Sequence, residues 1–360
     1  MALTKFDQMR KVVLILVAVI VIAAAGAIYY SHNHSAKGAT TTTTTPPTTT
    51  TTVPKGPFAP LTGLLDPTGV SLTRPALTVK IENTPEALPQ WGITEADVVY
   101  EEIVNGGITR LAAIFNSHAP TKIGPVRSVR PTDTQVVWPI GGIFAFSGGA
   151  PYAIDSIETA PVKLIDEDAA GTAMFRDLSL EAPHNLFAIG PSLFAFKGTP
   201  TPPPALFSYR AAGTSAVGAP VTSFVVPFPS IYPVTWPWDT ATASWDRTIF
   251  GQADVTGTGQ RESPKNVIVM YVNYVNGIGT LNSYADLQGS GTAMIFSGGK
   301  EIVGSWSRGA SKADIIQYKT SSGAIIKLTP GQTWVELLND GVSLSITRPT
   351  SATTTTTAAS

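Results

Sequence analysis

The sequence predicts a mixed fold in two parts, with strands and a helix in the first half and mainly strands in the second. The clearest indication is a hairpin pattern over residues 98–115, where two apolar β-branched runs flank an Asn-Gly-Gly turn. A Pro-rich segment at residues 199–204 then precedes short strand patterns separated by Gly-containing turns. Apolar residues make up 43% of the 360 residues, which is enough to fill real cores.

Composition excludes several classes of function. The formal net charge is −1, so we expect no strongly basic face and no nucleic-acid partner. Cysteine is absent, which excludes disulfides, cysteine–zinc sites, thiol catalysis and a lipid on an N-terminal cysteine. His118 and His184 are the histidines of the expected folded part, and neither has a metal-ligand spacing such as HExxH. We therefore expect no metal and no cofactor.

The N-terminus is predicted to anchor the chain in the cell membrane. Residues 1–11 contain Lys5, Arg10 and Lys11, which suit a cytoplasmic tail. Residues 12–30 carry no charge and span ~30 Å of hydrocarbon as one helix. A cleaved signal peptide is the alternative, but its apolar core is usually shorter and ends at a small-residue cleavage site. We expect an uncleaved signal-anchor with the bulk of the chain extracytoplasmic.

Composition shifts divide the rest of the chain. The Thr/Pro-rich tract over residues 31–57 cannot bury a core, so we expect a disordered, low-complexity stalk. A Thr-rich disordered tail is expected over residues 349–360. Between them we predict an N-terminal domain over residues 58–198, a Pro/Gly/Ala-rich linker over 199–221 and a β-rich C-terminal domain over 222–348. A surface loop within one domain is the alternative to the linker.

Short patterns predict the secondary-structure elements. In the first half, Thr94 has the position of a cap for one helical turn. The second half has the turn spacing of a small antiparallel meander. The predicted strands of the two halves cover residues 76–81, 140–146, 266–273, 293–296, 301–307, 315–319, 325–328 and 333–338, and a helix is predicted over residues 152–159.

The hairpin places a carboxylate opposite an arginine in either of two registers. A two-residue turn pairs Glu101 with Arg110, whereas a three-residue loop pairs Glu102 with Arg110. The next segment, residues 123–131, contains Arg127 and Arg130 between prolines, which disfavour a regular helix. We therefore expect a stiff loop with two guanidinium groups on opposite sides, one structural and one facing a ligand.

These arginines have two interpretations. Guanidinium forks bind carboxylates and phosphates, which predicts an anion-binding surface. An internal ion-pair network is the alternative, and loss of one partner from such a network typically costs ~3–5 kcal/mol. The candidate acids are Glu82, Glu101, Glu102 and Asp133.

His184 is the candidate general base. With Asn185 beside it and an acid nearby in space, its imidazole has the setting of an oriented base. The alternative is a buried structural turn, because a proline precedes His184 and Leu-Phe follows Asn185. Neither a nucleophile elbow nor a Gly-rich phosphate loop occurs in the sequence.

Several uncommon motifs occur in a specific order, namely Glu82-Asn83, residues 96–110, 123–131, 182–186, 265–269 and 330–334. Together they resemble the YerB-like family of bacterial envelope lipoproteins over roughly residues 58–340. The resemblance implies an α+β fold, with an N-terminal layered α/β sandwich domain and a smaller, mostly antiparallel β C-terminal domain. This chain has no lipobox cysteine, so the predicted transmembrane helix takes the place of the lipid.

We expect a non-catalytic extracytoplasmic module that binds an anionic or carboxylate-bearing envelope ligand or a wall-assembly protein. One alternative is a cell-wall hydrolase or transferase in which His184 works with Glu82 or Glu101. The other is a purely structural docking protein. The candidate ligand-binding residues are Asn83, Glu101, Glu102, Arg110, Arg127, Arg130, Asp133, His184 and Asn185.

The predicted anchor gives a test of topology. Protease added to intact, wall-stripped cells should remove the globular part, because the charge-flanked helix places residues 31–360 outside. Immunoblotting measures the loss, and lysed cells provide the control that the protein is present and cleavable. Complete protection in intact cells would contradict the orientation.

Overall fold

A sheet of twelve strands forms the centre of the structure, a computed structural model that describes residues 56–229 and 233–350. Two of its strands lie beside the main path, with β16 (Tyr284–Asp286) next to β15 and β9 (Ala219–Pro220) next to β18. The main path in spatial order is β19 (Gln317–Thr320), β18 (Lys300–Arg308), β17 (Gly289–Ser297), β15 (Asn266–Val275), β21 (Thr333–Asn339), β2 (Val98–Ile103), β3 (Thr109–Phe115), β1 (Leu77–Asn83), β4 (Ile143–Ala145) and β5 (Lys163–Ile165).

Smaller sheets and short helices surround this sheet. The second sheet has the order β14 (Gln252–Ala253), β13 (Thr248–Ile249), β11 (Val234–Asp239), β10 (Ser223–Val226) and β22 (Ser345–Thr347), with β12 (Ser244–Trp245) beside β11. Two strand pairs are β6 (Met174–Arg176) with β7 (Leu186–Ala188) and β8 (Ser208–Tyr209) with β20 (Lys327–Leu328). The α-helices are α1 (Pro131–Val137), α2 (Pro151–Glu158), α3 (Glu167–Ala170) and α4 (Gly190–Phe194). Single 3-10 turns cover Val70–Leu72, Pro85–Ala87, Ile93–Glu95, Asn105–Gly107 and Gly171–Ala173.

The two halves of the sequence meet at β21. This strand runs parallel to β2 on one side and parallel to β15 on the other, so that Thr333 pairs with both Val98 and Asn266. The expectation that this strand closes an antiparallel meander is therefore wrong. Strands buried on both faces are typical of parallel pairing, and β21 is buried along almost its whole length. The segments expected as two domains thus contribute strands to one sheet.

The two faces of the central sheet carry different side chains, because successive residues of a strand point to opposite sides. We call one side the arginine face; on β1, β2 and β3 it carries Lys80, Glu82, Glu102 and Arg110. The other side is the tryptophan face, which carries Glu101, Glu336, Phe296 and Trp334.

The second sheet covers the tryptophan face through aromatic contacts. The ring of Phe224 stacks on that of Phe296 at 3.6 Å between centroids. Trp236 meets Trp334 edge to face at 5.5 Å. All four rings are fully buried, so this aromatic layer is a large part of the core that joins the two sheets.

The predicted hairpin is confirmed, in the register of the longer loop. Glu102 lies opposite Arg110, so the register that pairs Glu101 with Arg110 is wrong. The loop is longer than two residues because Val104 N–H donates to Ile108 O at 2.8 Å. Between them Gly106 and Gly107 adopt φ of 82° and 75°, which glycine tolerates without strain.

Other local predictions had mixed outcomes. The predicted helix over residues 152–159 is confirmed as α2. The cap at Thr94 is wrong, because the turn begins after Gly92 and the Thr94 hydroxyl donates to Gln260 Oε1 at 3.1 Å. Helix α1 was not predicted, although Pro131 at its first position is a favoured start.

Among the residues that the structure describes, no helix is both long and apolar enough to cross a membrane. The predicted cytoplasmic tail and anchor, most of the stalk and most of the Thr-rich tail lie outside those residues. The described part is a mixed α/β structure, mostly strands with few and short helices.

The aromatic layer predicts a large effect of one core substitution. Phe224→Ala should lower the free energy of unfolding by about 3–5 kcal/mol, because it leaves a cavity between the two sheets. Urea denaturation followed by tryptophan fluorescence measures the change. Leu178→Ala is the control, since that side chain is 90% exposed and its loss should cost less than ~0.5 kcal/mol. Equal effects of the two variants would contradict the packing of the small sheet on the large one.

Candidate functional site at the arginine face

The loop with the two arginines runs alongside β1. Its Val126 forms an isolated bridge with Ile81, Glu82 N–H donates to Pro125 O at 3.0 Å, and Arg127 N–H donates to Lys80 O at 2.9 Å. The loop is therefore extended, as its prolines predict. This pairing carries the Arg127 side chain to the end of β1 where Glu82 projects from the arginine face.

Glu82 is shared by an arginine and a histidine. Its Oε1 lies 3.1 Å from Nε of Arg127, and its Oε2 lies 2.9 Å from Nδ1 of His184. Arg127 and Glu82 are close enough for an ion pair, but the N–H of Arg127 Nε does not point at the carboxylate well enough for a hydrogen bond. The carboxylate is 1% exposed, whereas the side chains of Arg127 and His184 are 18% and 23% exposed. The expectation that Arg127 or Arg130 contacts a carboxylate is confirmed, and the structure brings together the predicted pair Glu82 and His184.

The contact with Glu82 fixes the orientation of the imidazole. An ionised carboxylate only accepts hydrogen bonds, so Nδ1 of His184 carries the proton and donates. Within the described residues, Nε2 of His184 has no hydrogen-bond partner, and the ring is partly exposed. The arrangement can therefore present a nitrogen acceptor, or a cation when the ring is protonated, to a molecule at the surface.

Arg110 lies on β3 between the two strands that carry Glu82 and Glu102, and is opposite both in register. Nevertheless, no carboxylate among the described residues lies within ion-pair distance of Arg110, so the predicted ion pair is wrong. Its guanidinium donates to Ser128 O at 3.1 Å instead, and its buried Nε has no partner. Burial, together with the positive charges of Arg130 and Arg127, lowers the pKa of Arg110 to about 9, so it remains a cation at neutral pH.

A fully buried lysine explains why Arg110 lacks an acid. Nζ of Lys80 contacts Oε1 of Glu102 and lies 2.8 Å from Oδ1 of Asp133. Two of the four carboxylates expected to serve the arginines are therefore committed to Lys80. Burial raises the pKa of Asp133 to about 6 against the attraction of Lys80. Sequence reasoning missed Lys80, because a single lysine within an apolar strand does not reveal partners elsewhere in the chain.

Arg130 has a structural position. Its guanidinium donates to Val129 O and to Oδ1 of Asn105, both at 2.8 Å, and its backbone N–H donates to Oδ2 of Asp133 at 2.7 Å. These bonds join the start of α1 to the hairpin turn. Burial lowers the pKa of Arg130 from its ordinary value. Of the two loop arginines, Arg127 is the more exposed one.

Glu101 and Asn83 lie on the opposite face of the sheet from His184. Oε1 of Glu101 accepts from Nδ2 of Asn83 at 3.0 Å and from Thr109 Oγ1 at 2.7 Å. Its Oε2 accepts from Arg247 at 2.8 Å. The predicted pairing of Glu101 with His184 is therefore wrong, because adjacent residues in β2 point to opposite faces.

Arg247 is the centre of a second charge cluster that sequence reasoning missed. It is fully buried, pairs with Glu101 and Asp254, and its guanidinium lies 4.6 Å from the ring centroid of Trp334. Although burial opposes its charge, the two carboxylates hold the pKa of Arg247 above its ordinary value. Burial raises the pKa of neighbouring Glu336 well above its ordinary value, and Glu336 Oε1 accepts from the indole of Trp236 at 3.0 Å.

Asn185 does not join the group around Glu82. Its Oδ1 accepts from Arg176 at 2.8 Å, and Arg176 also pairs with Glu167 at 2.6 Å. Asn185 therefore braces the hairpin formed by β6 and β7, and His184 lies in the loop that connects these two strands. No group of three acidic or imidazole side chains suited to a metal ion occurs in residues 56–229 and 233–350.

Comparison with known proteins places the chain in a family. The "Protein of unknown function (DUF3048) N-terminal domain" matches residues 61–198, and the corresponding C-terminal domain matches residues 224–335. The chain belongs to the YerB-like family.

Two comparisons, one of sequence and one of structure, match the chain to YerB from Bacillus subtilis. The curated protein described as "Putative lipoprotein YerB" (strain 168) is 36% identical over 130 residues, which cover 36% of this chain and 39% of that protein. The crystal structure of YerB protein superposes with a TM-score of 0.70 at 23% identity, and covers 81% of this chain and 99% of that one. The match to the curated protein thus spans well under half of its length, while the structural match shows the same fold.

The buried lysine yields a prediction with a defined pH dependence. Lys80→Met should lower the free energy of unfolding at neutral pH by about 3–5 kcal/mol, because Glu102 and Asp133 lose their cation. A carboxyl group with a pKa higher in the folded than in the unfolded state destabilises the fold as pH rises between the two values. The pKa of Asp133 is about 6 even with Lys80 present, and loss of Lys80 should raise it further. Near pH 4 Asp133 is protonated in the folded protein with or without Lys80, so the stability of the variant should be closest to that of wild type there.

Urea denaturation between pH 4 and pH 7 measures this dependence. Lys163→Met is the matched control, because Lys163 is exposed on the edge strand β5 and forms no ion pair in the described part of the chain. A loss of stability by Lys80→Met that is the same at both ends of the pH range would contradict the proposed charge balance.

Proposed function

We propose that the protein is an envelope module that binds an anionic ligand, carrying a carboxylate or a phosphate, at Arg127 and His184. The observation that carries this proposal is the sharing of one buried carboxylate, that of Glu82, by two partly exposed side chains, Arg127 and His184. The expectation of an extracytoplasmic location rests on the apolar segment at residues 12–30, and the description of the Bacillus subtilis relative as a lipoprotein supports it.

The buried groups next to these two side chains include two arginines that have no ion pair in the described part of the chain. Lys80 uses the carboxylates of Glu102 and Asp133, which leaves Glu82 to Arg127 and His184. The exposed Glu86 is near enough to His184 to interact with its charge. Arg110 and Arg130 bond to carbonyl and amide oxygens, and the nearby carboxylates attract them without forming an ion pair. In a poorly hydrated setting such charges act more strongly than in water. The cations are Lys80, Arg110, Arg127 and Arg130, and the carboxylates are Glu82, Glu102 and Asp133.

Arg127 is the residue suited to direct contact. Its Nε faces Glu82, and one terminal nitrogen has only a 3.5 Å contact with Pro183 O. Much of the guanidinium fork is therefore free for a bidentate bond to an incoming carboxylate or phosphate. His184 lies on the same carboxylate, so its Nε2 has the position of a second donor when the ring is protonated. The ligand would thus meet two groups whose orientation is already fixed.

The second candidate function is hydrolysis or group transfer on cell-wall material. It is favoured by the 2.9 Å contact that orients His184 on Glu82, which is the arrangement of a general base and its positioning carboxylate. If this function holds, His184→Gln should abolish turnover of wall fragments, while Arg127→Ala should chiefly raise KM. A pure binding module shows no turnover in either case.

Binding to small anions tests the proposal. The full chain, purified in a neutral detergent, should bind glycerol 3-phosphate or a peptide with a free C-terminal carboxylate in isothermal titration. Arg127→Ala should abolish this binding and Arg127→Lys should weaken it, because lysine lacks the bidentate fork. Glu82 keeps its contact with His184 in both variants, so we expect both to fold, and circular dichroism at the assay temperature checks this.

Arg348→Ala is the matched control, because this exposed arginine also contacts one buried carboxylate, that of Glu301. It should bind the probes as the wild type does. Failure of the wild-type protein to bind either probe, or equal binding by Arg127→Ala, would contradict the proposed function.

A further inference from the structure

A cleft of about 420 Å³ opens between α1, α2, β16 and the loop that follows β15. Its volume falls within the range of about 300–1,000 Å³ that is usual for small-molecule sites. The lining includes neither Arg127 nor His184, so this cleft is distinct from the proposed anion site.

The lining is polar and electrically balanced. One carboxylate, Asp286, and one ammonium group, Lys312, contribute no net charge. The other polar side chains are mainly amides and hydroxyls, and amides offer both donors and acceptors. Two aromatic rings, Tyr152 and Tyr284, supply apolar surface with a polar edge. Such a lining suits a neutral ligand that both donates and accepts hydrogen bonds.

The walls of the cleft are held in place by bonds between α1 and the strand β16. Ala285 N–H donates to Thr132 Oγ1 at 3.0 Å, and Leu287 N–H donates to Gln135 Oε1 at 2.9 Å. The Gln135 amide also donates to Ala285 O at 3.2 Å. The side chains of Tyr284 and Asp286 therefore project from a fixed strand, which is the usual requirement for a specific site.

Several polar groups of the cleft have no protein partner. Nε2 of Gln288 is buried and makes no hydrogen bond in the described part of the chain. The amide of Asn282 and the hydroxyl of Tyr284 also form no side-chain hydrogen bond among the described residues, and both residues line the cleft. Asn282 is exposed and Tyr284 is half-buried, so their polar groups are open to a ligand in the cleft, whereas the buried Nε2 of Gln288 is not.

We propose that this cleft binds a neutral saccharide. Sugar hydroxyls donate and accept hydrogen bonds, which matches the accessible amide of Asn282 and the hydroxyl of Tyr284. The C–H face of a pyranose ring is apolar and packs on an aromatic ring such as that of Tyr284. The balance of Asp286 and Lys312 gives no preference for an anion, in contrast to the arginine face.

A glycan array with full-length protein tests the proposal. The protein is purified in a detergent without a sugar headgroup, and the array carries neutral oligosaccharides of glucose, galactose, mannose and N-acetylglucosamine beside sialylated ones. At least one neutral class should bind, and isothermal titration then gives its affinity. Tyr284→Ala and Asn282→Ala should each weaken binding about tenfold or more, through lost ring packing and a lost hydrogen bond.

Two controls separate this site from other effects. Gln252→Ala removes an exposed amide on β14, and Arg127→Ala alters the anion site; both should leave saccharide binding unchanged. Asn282 lies in an exposed loop, so Asn282→Ala carries the test if Tyr284→Ala fails to fold. Absence of binding to every neutral saccharide at millimolar concentration would overturn the proposal. Binding of sialylated glycans alone, or unchanged affinity in Asn282→Ala and in a folded Tyr284→Ala, would also overturn it.

Discussion

Strand β21 holds the structure together, because it pairs in parallel with β2 from the first half of the sequence and with β15 from the second. Parallel pairing fixes the register along its whole length, so Glu336 lies beside Glu101 and Trp334 beside Val99. A shift of one residue would exchange the two faces of the strand. The aromatic layer under the small sheet and the charged side chains on the other face both depend on this register.

The two faces use charge in different ways. On the tryptophan face, Arg247 is enclosed by carboxylates and indole rings, so its charge is compensated and inaccessible. On the arginine face, Lys80 occupies the carboxylates of Glu102 and Asp133, and Arg127 contacts that of Glu82. Buried ion pairs contribute little net stability compared with apolar packing, although loss of one partner is costly. Glu82 forms its ion pairs outside the Lys80 cluster, and its contacts fix the orientation of Arg127 and His184.

Local patterns made much of the fold predictable. The hairpin of β2 and β3, the helix α2 and the strands of the second half depend on alternation and turn residues that are close in sequence. The sequence could not decide whether Glu101 or Glu102 lies opposite Arg110, because the register depends on the conformation of one glycine-rich turn. The sequence motifs singled out Glu82 and His184. These residues are 102 positions apart in the sequence, and their contact depends on where the hairpin of β6 and β7 packs. The pairing of Arg247 with Glu101, across 146 residues, had no local signal, because it requires the parallel insertion of β21.

The central claim is that the second half of the chain completes the sheet that orients the site. The most direct measurement is the unfolding of residues 56–212 expressed alone, monitored by circular dichroism and by the NMR signals of the His184 ring. We expect no cooperative transition, since β2 loses its partner β21 and Glu101 loses Arg247, and we expect residues 213–350 added in trans to restore it. Cooperative unfolding of the isolated segment, with His184 signals like those of the whole chain, would contradict the claim.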